Sequence, residues 1–313
     1  MAACVETQVL THADSVGRMR RALALAIPFV LFATACGDDA SENGADTTLA
    51  DSETTADVAA TTTTIPKPSV SLPTSLPTEL VVTDLTTGTG REAVIGDTVV
   101  VHYVGVRTAD GTEFDNSYDR GEPLDVLLGT GQVIQGWEQG LIGSQQGGRR
   151  QLDIPADLAY GDQGAGDIIQ PGDAITFVVD IMAVLPGTTE DEQPDITVEA
   201  AANIPVIEHT ELVEGDGVSP VNGNKFAAQI MLFRADTGEL LNSTWGTPPV
   251  VFDYTTDSNT FPGIIAVAKG MKVGGRRQSQ VPFSLMFDGQ GNDTIGLPAS
   301  IDVVIVMDLV AVY

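Results

Sequence analysis

The chain has 313 residues, which allows two domains on the rule of roughly 100–200 residues per domain. Its 43 acidic and 15 basic side chains give a net charge of −28, which argues against nucleic acid and anionic membrane surfaces as partners. The two cysteines, Cys4 and Cys36, lie far from any strand pattern, and the three histidines are scattered. Neither a disulfide framework nor a histidine metal site is therefore predicted.

A basic start and a short apolar run precede Cys36. Met19-Arg20-Arg21 is followed by apolar residues 22–32, and small residues then lead to the cysteine. The pattern predicts a signal peptide over residues 1–36, with translation starting at Met19. Small residues before a cysteine resemble a bacterial lipobox, so we expect lipidation of Cys36 and an extracytoplasmic protein held at the cell membrane only by that lipid. The alternative is an ordinary cleaved signal and a secreted protein.

Residues 37–78 contain scattered acidic residues, threonine runs and four prolines. Such a composition cannot bury a core and favours a disordered, extended chain. We therefore predict a tether, followed by folded domains over residues 79–187 and 196–313.

The first domain shows strand and helix patterns in a clear order. Alternate residues of the run 99–104 face opposite ways, so Val99, Val101 and Tyr103 share one face. Asp110-Gly111 is typical of a hairpin, and Trp137 and Leu141 are spaced for one helical face. The run 175–181 alternates as a half-buried strand. One short helix against about five antiparallel strands predicts an α+β domain.

These segments resemble the FKBP-type peptidyl-prolyl isomerases, the macrolide-binding immunophilins. The resemblance extends to Gly148–Pro155 and to the loop that opens with Ala159-Tyr160-Gly161. The resemblance implies a curved sheet wrapped on a helix, and catalysis of cis/trans exchange at X-Pro bonds. The barrier of ~18–20 kcal/mol arises because the amide loses resonance as it twists. Since no bond breaks, no cofactor and no metal are expected. An apolar pocket favours the twisted amide, which is less polar than the planar one.

The resemblance also assigns residues to the site. Trp137 would form the floor under the proline ring, Arg120 would pair with Asp115, and the Ile134 N–H and the Tyr160 hydroxyl would hold substrate carbonyls. From spacing alone, Trp137 and Phe177 also fit core positions, and Asp115 a turn cap. The expected catalytic residues are Tyr103, Phe114, Asp115, Ile134, Trp137, Tyr160 and Phe177, with Phe177 and Asp115 at the edge. The expected substrate contacts are Val133, Arg120, Leu124 and Ile169.

Part of this sequence recurs later in the chain. The run Gly147-Gly148-Arg149-Arg150-Gln151 reappears at 274–278, and four further Gly and Pro positions share the displacement of 127 residues. A second domain of the same fold is therefore predicted. Its pocket positions become Ile230, Leu241, Asn242, Phe261, Ile264 and Phe287, while Phe177 falls on Val304 or Ile305. We expect this domain not to isomerise proline, the alternative being a reshaped pocket that uses Trp245.

The leading hypothesis is an isomerase that assists the folding of exported proteins. Its expected partners are proline-containing unfolded or exported polypeptides, and tacrolimus-like macrolides. The alternative is a non-catalytic chaperone or peptide-binding lipoprotein that uses the same groove. A purely structural envelope lipoprotein would explain the tether but not so complete a pocket.

Overall fold

The computed structural model describes residues 65–201, 203–255 and 262–313, so Cys36, the predicted signal peptide and most of the predicted tether lie outside the described residues. The fold is α+β, with two antiparallel sheets of six strands each rather than about five. The first domain consists of β1 (Val81–Thr86), β2 (Thr98–Arg107), β3 (Glu113–Asn116), β4 (Leu124–Leu127), helix α1 (Gln135–Gly140), β5 (Arg149–Ile154) and β6 (Ile175–Leu185). The second consists of β7 (Glu208–Val213), β8 (Asn224–Arg234), β9 (Leu240–Ser243), β10 (Val250–Tyr254), helix α2 (Pro262–Ala268), β11 (Arg276–Val281) and β12 (Val303–Val312). Within the described ranges, neither helix is long and apolar enough to cross a bilayer.

The two sheets share their strand pairing. The first has the order β1-β5-β6-β2-β3 with β4 also on β2, and the second has β7-β11-β12-β8-β10 with β9 also on β8. Irregularities in pairing recur at equivalent places, for example where the β2–β3 ladder passes over Phe114 and the β8–β9 ladder passes over Leu241. Phe177 pairs with Gly105, and Ile305 pairs with Leu232, which lies 127 residues after Gly105. Ile305 is therefore the counterpart of Phe177, and the alternative Val304 was wrong.

Helix α1 packs on one face of the first sheet. Val99, Val101 and Tyr103 lie on that face in one core with Trp137 and Leu141, as the alternation predicted. The helix approaches β5 closely because two of its residues are glycines. A Cβ atom at Gly136 would lie 2.4 Å from Ile154 Cγ2, and one at Gly140 would lie 2.7 Å from Leu152 Cδ2. This close contact fixes where α1 presents Trp137.

The other face of β6 is also buried, so the prediction of a half-buried strand was wrong. Thr176 and Val178 are 0% exposed and Asp180 is 5% exposed. At one end this face packs on the second domain, where Val100 and Ala183 join Ala227 and Ala311 in one apolar cluster. Residues 65–72 contact the first domain elsewhere, near β5 and the turn between β2 and β3, as described below. On β6 itself, Thr176 contacts Thr108 and Asp180 contacts Tyr118, and these partners are far away in sequence, so the local pattern could not reveal them.

The repeated Arg-Arg pair has a structural role in each domain. Arg149 Nε binds Asp180 Oδ1 at 2.6 Å, and Arg276 Nε binds Asp308 Oδ1 at the same distance. The next arginine closes the end of the helix. Arg150 Nη1 donates to the carbonyls of Gly140 and Ile142 at 2.8 and 2.9 Å, and Arg277 Nη1 donates to those of Val267 and Lys269 at 2.7 and 2.8 Å. These side chains satisfy carbonyls that a helix end leaves without partners.

Candidate active site

Four aromatic side chains form an apolar floor between α1 and the first sheet. Phe177 lies at its centre, with its ring centroid 5.1 Å from Trp137, 5.5 Å from Phe114 and 6.0 Å from Tyr103, each in edge-to-face geometry. Trp137 and Tyr103 also meet at 5.2 Å. Phe177 is only 4% exposed, so its expected place at the edge of the site was wrong. It lies on a central strand of the sheet and points towards the helix, which buries it.

Gly105 makes this floor possible, and the sequence analysis missed it. A Cβ atom there would lie 2.6 Å from Phe177 Cε1 and 2.8 Å from Phe114 Cζ, so the two rings occupy the space above β2. The available signal was a glycine inside a strand pattern, which often marks a close approach by another group. The equivalent residue of the second domain is Leu232, whose side chain lies in the core against α2.

A polar triad lies beside the aromatic floor. The Tyr103 hydroxyl donates to Asp115 Oδ2 at 2.5 Å, Arg120 Nη1 donates to Asp115 Oδ1 at 2.5 Å, and Arg120 Nη2 donates to the Tyr103 hydroxyl at 2.7 Å. The predicted pair of Arg120 and Asp115 is confirmed. Their side chains are 50% and 43% exposed, which places the carboxylate at the mouth of the cleft rather than in the core.

The triad sets the charges at the mouth of the cleft. Burial raises the pKa of the Asp115 carboxyl, but hydrogen bonds from Tyr103 and Arg120 lower it by more, so the net pKa is below its usual value. Burial and the hydrogen bond to Asp115 raise the pKa of Tyr103 to about 12. At neutral pH the carboxyl is therefore an anion, and the phenol keeps the proton that it donates to it.

The segment before α1 forms one rim of the cleft. Val133 and Ile134 are partly buried against the core, and no described residue accepts a hydrogen bond from the Ile134 N–H. Glu138 holds the preceding loop in place, because its two oxygens accept the N–H groups of Gly129 and Gly131 at 2.6 and 2.7 Å. Glu138 was not among the predicted site residues. Its signal was an acidic residue in the first turn of a helix, where carboxylates are favoured.

The remaining predicted site residues are spread more widely. Tyr160 lies between two short 3-10 turns, is 37% exposed, and makes no hydrogen bond with its hydroxyl to the described residues. Burial, and then the Asp115 charge, raise the pKa of Tyr160. Ile169 is 5% exposed and packs in the core. Leu124 is 37% exposed on β4, where it pairs with Val101 of β2, a residue of the core under α1, so its role as a substrate contact stays a prediction.

The second domain lacks this arrangement. Ile230, Leu241, Ile264 and Phe287 pack with its core, and Asn242 is exposed. Phe261 lies outside the described residues. Trp245 packs with Met231, Phe233, Val304 and Val306 on the sheet face opposite α2, so the alternative in which Trp245 rebuilds the pocket was wrong.

The cleft of the first domain thus offers an aromatic floor, one carboxylate at its mouth and an N–H at its rim. Among the described residues, no group of three or more His, Cys, Asp or Glu side chains is arranged to hold a metal ion. A site of this kind can grip an apolar ring and hold the polar groups beside it.

Comparison with known proteins identifies the family. Residues 89–182 match the family model described as FKBP-type peptidyl-prolyl cis-trans isomerase. The FK506-binding protein of Streptomyces anulatus is 52% identical over 122 residues, which cover 38% of this chain and 98% of that protein. The FK506-binding protein of Neisseria meningitidis serogroup A is 46% identical over 105 residues, covering 34% and 95%. The crystal structure of FkpA from Escherichia coli matches 34% of this chain and 48% of that chain at 44% identity, with a TM-score of 0.32.

The chain belongs to the FKBP-type peptidyl-prolyl cis-trans isomerase family. Membership of this family implies peptidyl-prolyl cis-trans isomerase activity.

Proposed function

We propose that the first domain carries the isomerase activity and that the second domain does not. The observation that carries this proposal is the triad of Tyr103, Asp115 and Arg120 beside an aromatic floor. The second domain has Ile230 and Asn242 at two of these positions, and Leu232 where the first has Gly105. Because both domains share strand order and core packing, the difference between them lies in the cleft itself.

The proposed mechanism needs no covalent step. The proline ring lies on Trp137, and the aromatic walls keep water from the amide. A twisted amide has lost resonance and is less polar, so a dry apolar site stabilises it relative to the planar ground state. The Asp115 carboxylate, held by Tyr103 and Arg120, lies beside the reacting amide. The Ile134 N–H binds a substrate carbonyl at the rim and orients the peptide.

Two matched substitutions in the full chain test this proposal. Asp115→Leu and Asn242→Leu change equivalent positions of the two domains, and both side chains are partly or fully exposed. Two-dimensional exchange spectroscopy on a Leu-Pro peptide measures the rate. We expect Asp115→Leu to reduce the catalysed rate at least tenfold and Asn242→Leu to leave it unchanged. Equal losses in the two variants would contradict the assignment to the first domain.

A client-binding role for the second domain is the second candidate. Ile230, Leu241 and Phe287, at positions equivalent to the pocket of the first domain, are apolar and only partly buried, and the triad charges are absent, which suits binding without catalysis. The measurement is suppression of aggregation of an unfolded protein that contains no proline. Suppression that survives Asp115→Leu would support this role, and no suppression by the full chain would contradict it.

The location and the partners are further parts of the proposal. The relatives are named as FK506-binding proteins, and we infer that tacrolimus-like macrolides also bind this cleft.

The basic and apolar run before Cys36 supports an extracytoplasmic, lipid-anchored protein whose clients are exported polypeptides. Mass spectrometry of the native N-terminal peptide tests the anchor. An unmodified Cys36, or a different first residue, would contradict it.

A further inference from the structure

The residues just before the first domain lie against it. We name residues 65–72 the strap. They have no regular secondary structure, and Pro66 and Pro68 flank Lys67. The Ser71 carbonyl accepts a hydrogen bond from Gln151 Nε2 of β5 at 3.0 Å, and the Leu72 side chain lies beside Gly111 in the turn between β2 and β3. This segment was predicted to be part of a disordered tether, but the strap contacts the first domain at three places.

Lys67 makes the strap's charged contact. Its Nζ binds Glu113 Oε1 at 2.9 Å and Asp119 Oδ2 at 3.2 Å. Asn116 joins the same two carboxylates, because its Nδ2 donates to Glu113 Oε1 at 2.6 Å and to Asp119 Oδ2 at 2.8 Å. The Asn116 Oδ1 accepts the Asp119 N–H at 2.7 Å and closes the group. Two carboxylates thus share two donors, of which only Lys67 is positively charged.

This charged group is adjacent in sequence to two residues of the triad. Asp115 lies between Glu113 and Asn116 on β3, and Arg120 directly follows Asp119. Asp115 and Arg120 are themselves about half exposed, so little packing holds them. Contacts that fix Glu113 relative to Asp119 therefore also fix the backbone next to Asp115 and Arg120. Without a cation between them, the two carboxylates would repel each other and favour a wider loop.

We propose that Lys67 is a positioning residue of the isomerase site, which holds the Asp115–Arg120 pair in register through Glu113 and Asp119. The strap is then part of the first domain, which begins near residue 65 rather than at residue 79. This inference rests on the proposed function of the first domain. It adds a residue from the tether to the determinants of that activity.

The test uses point variants of the full chain. Lys67→Met removes the charge, Lys67→Arg keeps it, and Lys272→Met removes the same charge from an exposed position in the second domain. Pairs of partly exposed charges contribute little each, so we expect kcat/KM for the Leu-Pro peptide to fall about two- to fivefold in Lys67→Met. Lys67→Arg should retain the wild-type rate, and Lys272→Met should not differ from wild type.

A second substitution separates positioning from general stability. Glu113→Gln keeps an acceptor for Asn116 but removes one of the repelling charges. In the Lys67→Met background it should restore part of the lost rate, a coupling that a double-mutant cycle measures. Amide hydrogen exchange at residues 113–121 should be faster in Lys67→Met and normal in Lys67→Arg.

The outcomes distinguish this inference from the function on which it rests. A wild-type chain without isomerase activity would overturn the proposed function, whatever the exchange data show. An active wild type with an unchanged rate and unchanged amide exchange in Lys67→Met would overturn the positioning role alone. A loss of rate that Lys67→Arg fails to restore would also overturn it, because the role requires only a cation of suitable reach.

Discussion

Tyr103→Phe is the sharpest probe of the triad because it removes one oxygen atom and keeps the ring. The edge-to-face contacts with Trp137 and Phe177, at 5.2 and 6.0 Å, remain possible. What is lost is the donor to Asp115 at 2.5 Å and the acceptor for Arg120 at 2.7 Å. The phenylalanine leaves no unpaired polar atom of its own, so the cost falls on the two charged partners.

The size of the stability loss in Tyr103→Phe follows from the solvent exposure of Asp115 and Arg120. A hydrogen bond to a charged group contributes about 1.5–3 kcal/mol. Asp115 and Arg120 are 43% and 50% exposed, so water can replace the hydroxyl and the lower end applies. We expect Tyr103→Phe to lower the free energy of unfolding by about 1–1.5 kcal/mol at pH 7. Loss of the same orientation should reduce kcat/KM roughly three- to tenfold, at about 1.4 kcal/mol per factor of ten.

The loss of stability in Tyr103→Phe should depend on pH, in the direction set by the shifted pKa of Asp115. The pKa of Asp115 lies below its usual value in the folded state, so its bonds stabilise the fold at pH values above the unfolded pKa, and this contribution is lost as the pH falls through the folded pKa. Tyr103→Phe removes a donor that lowers this pKa, which should therefore rise. The stability difference between wild type and variant should then be larger at pH 7 than at pH 2.5.

Tyr118→Phe is the matched control. Tyr118 also donates its hydroxyl to a carboxylate, that of the buried Asp180, but on the outer face of the sheet. Urea unfolding, exchange spectroscopy and carbon NMR titration of the Asp115 carboxyl are compared in both variants. Both should lose stability, but only Tyr103→Phe should shift the Asp115 titration and slow isomerisation. An unchanged Asp115 pKa in Tyr103→Phe, or equal losses of rate in both, would refute the reasoning.

Three further predictions concern the aromatic floor and the loss of folding stability at alkaline pH. Phe177→Ala should lower the free energy of unfolding by about 3–5 kcal/mol, measured by urea unfolding, because the ring is buried among three aromatic neighbours. Gly105→Ala should slow isomerisation with a smaller loss of stability, about 1–3 kcal/mol, because its Cβ would displace the Phe177 ring from the floor. The free energy of unfolding should fall as the pH rises from 10 to about 12, because the folded state keeps the Tyr103 proton that the unfolded chain releases. Urea unfolding at a series of fixed pH values measures this fall, which should be weaker in Tyr103→Phe.

Spacing and alternation were sufficient for the central strands and the helix, and the family resemblance supplied the Arg120–Asp115 pair. Each of these depends on neighbours in sequence or on a motif with fixed spacing. The burial of Thr176 and Asp180 was missed because the side chains that contact them, among them Thr108 and Tyr118, are far away in sequence. Local sequence carries no record of such contacts. The prolines and threonines before residue 79 predicted an extended segment, but not that Lys67 would meet two carboxylates.

Local sequence also could not decide whether Val304 or Ile305 is the counterpart of Phe177. Pro171 and Pro298 keep the displacement of 127, but Ile175 and Val303, which pair with equivalent residues of β5 and β11, are 128 apart. One extra residue therefore lies in the loop before β12. Because β12 is apolar and buried on both faces, either register fits its sequence, and only the ladder distinguishes them.

The duplicated architecture separates the requirements of the fold from those of the site. The helix-closing arginine is present in both domains, as Arg150 and Arg277, whereas the triad is present in one. Each arginine is 7% exposed and donates to two carbonyls at its helix end. Replacement by methionine would leave those carbonyls without their charged donor, and we expect each variant to lose about 2–3 kcal/mol of unfolding free energy.

The two variants should nevertheless differ in activity. Arg150→Met loosens α1, which carries Trp137 under the proposed proline position, so isomerisation should fall together with stability. Arg277→Met loosens α2, which carries Ile264 in a domain that we propose to be inactive, so stability should fall while the rate at 25 °C stays within about twofold of wild type. Urea unfolding and exchange spectroscopy on the two full-length variants measure both quantities. An equal loss of rate in Arg277→Met would mean that the apolar contact between Val100 and Ala227 transmits the state of the second domain to the cleft, and that the two domains act as one unit.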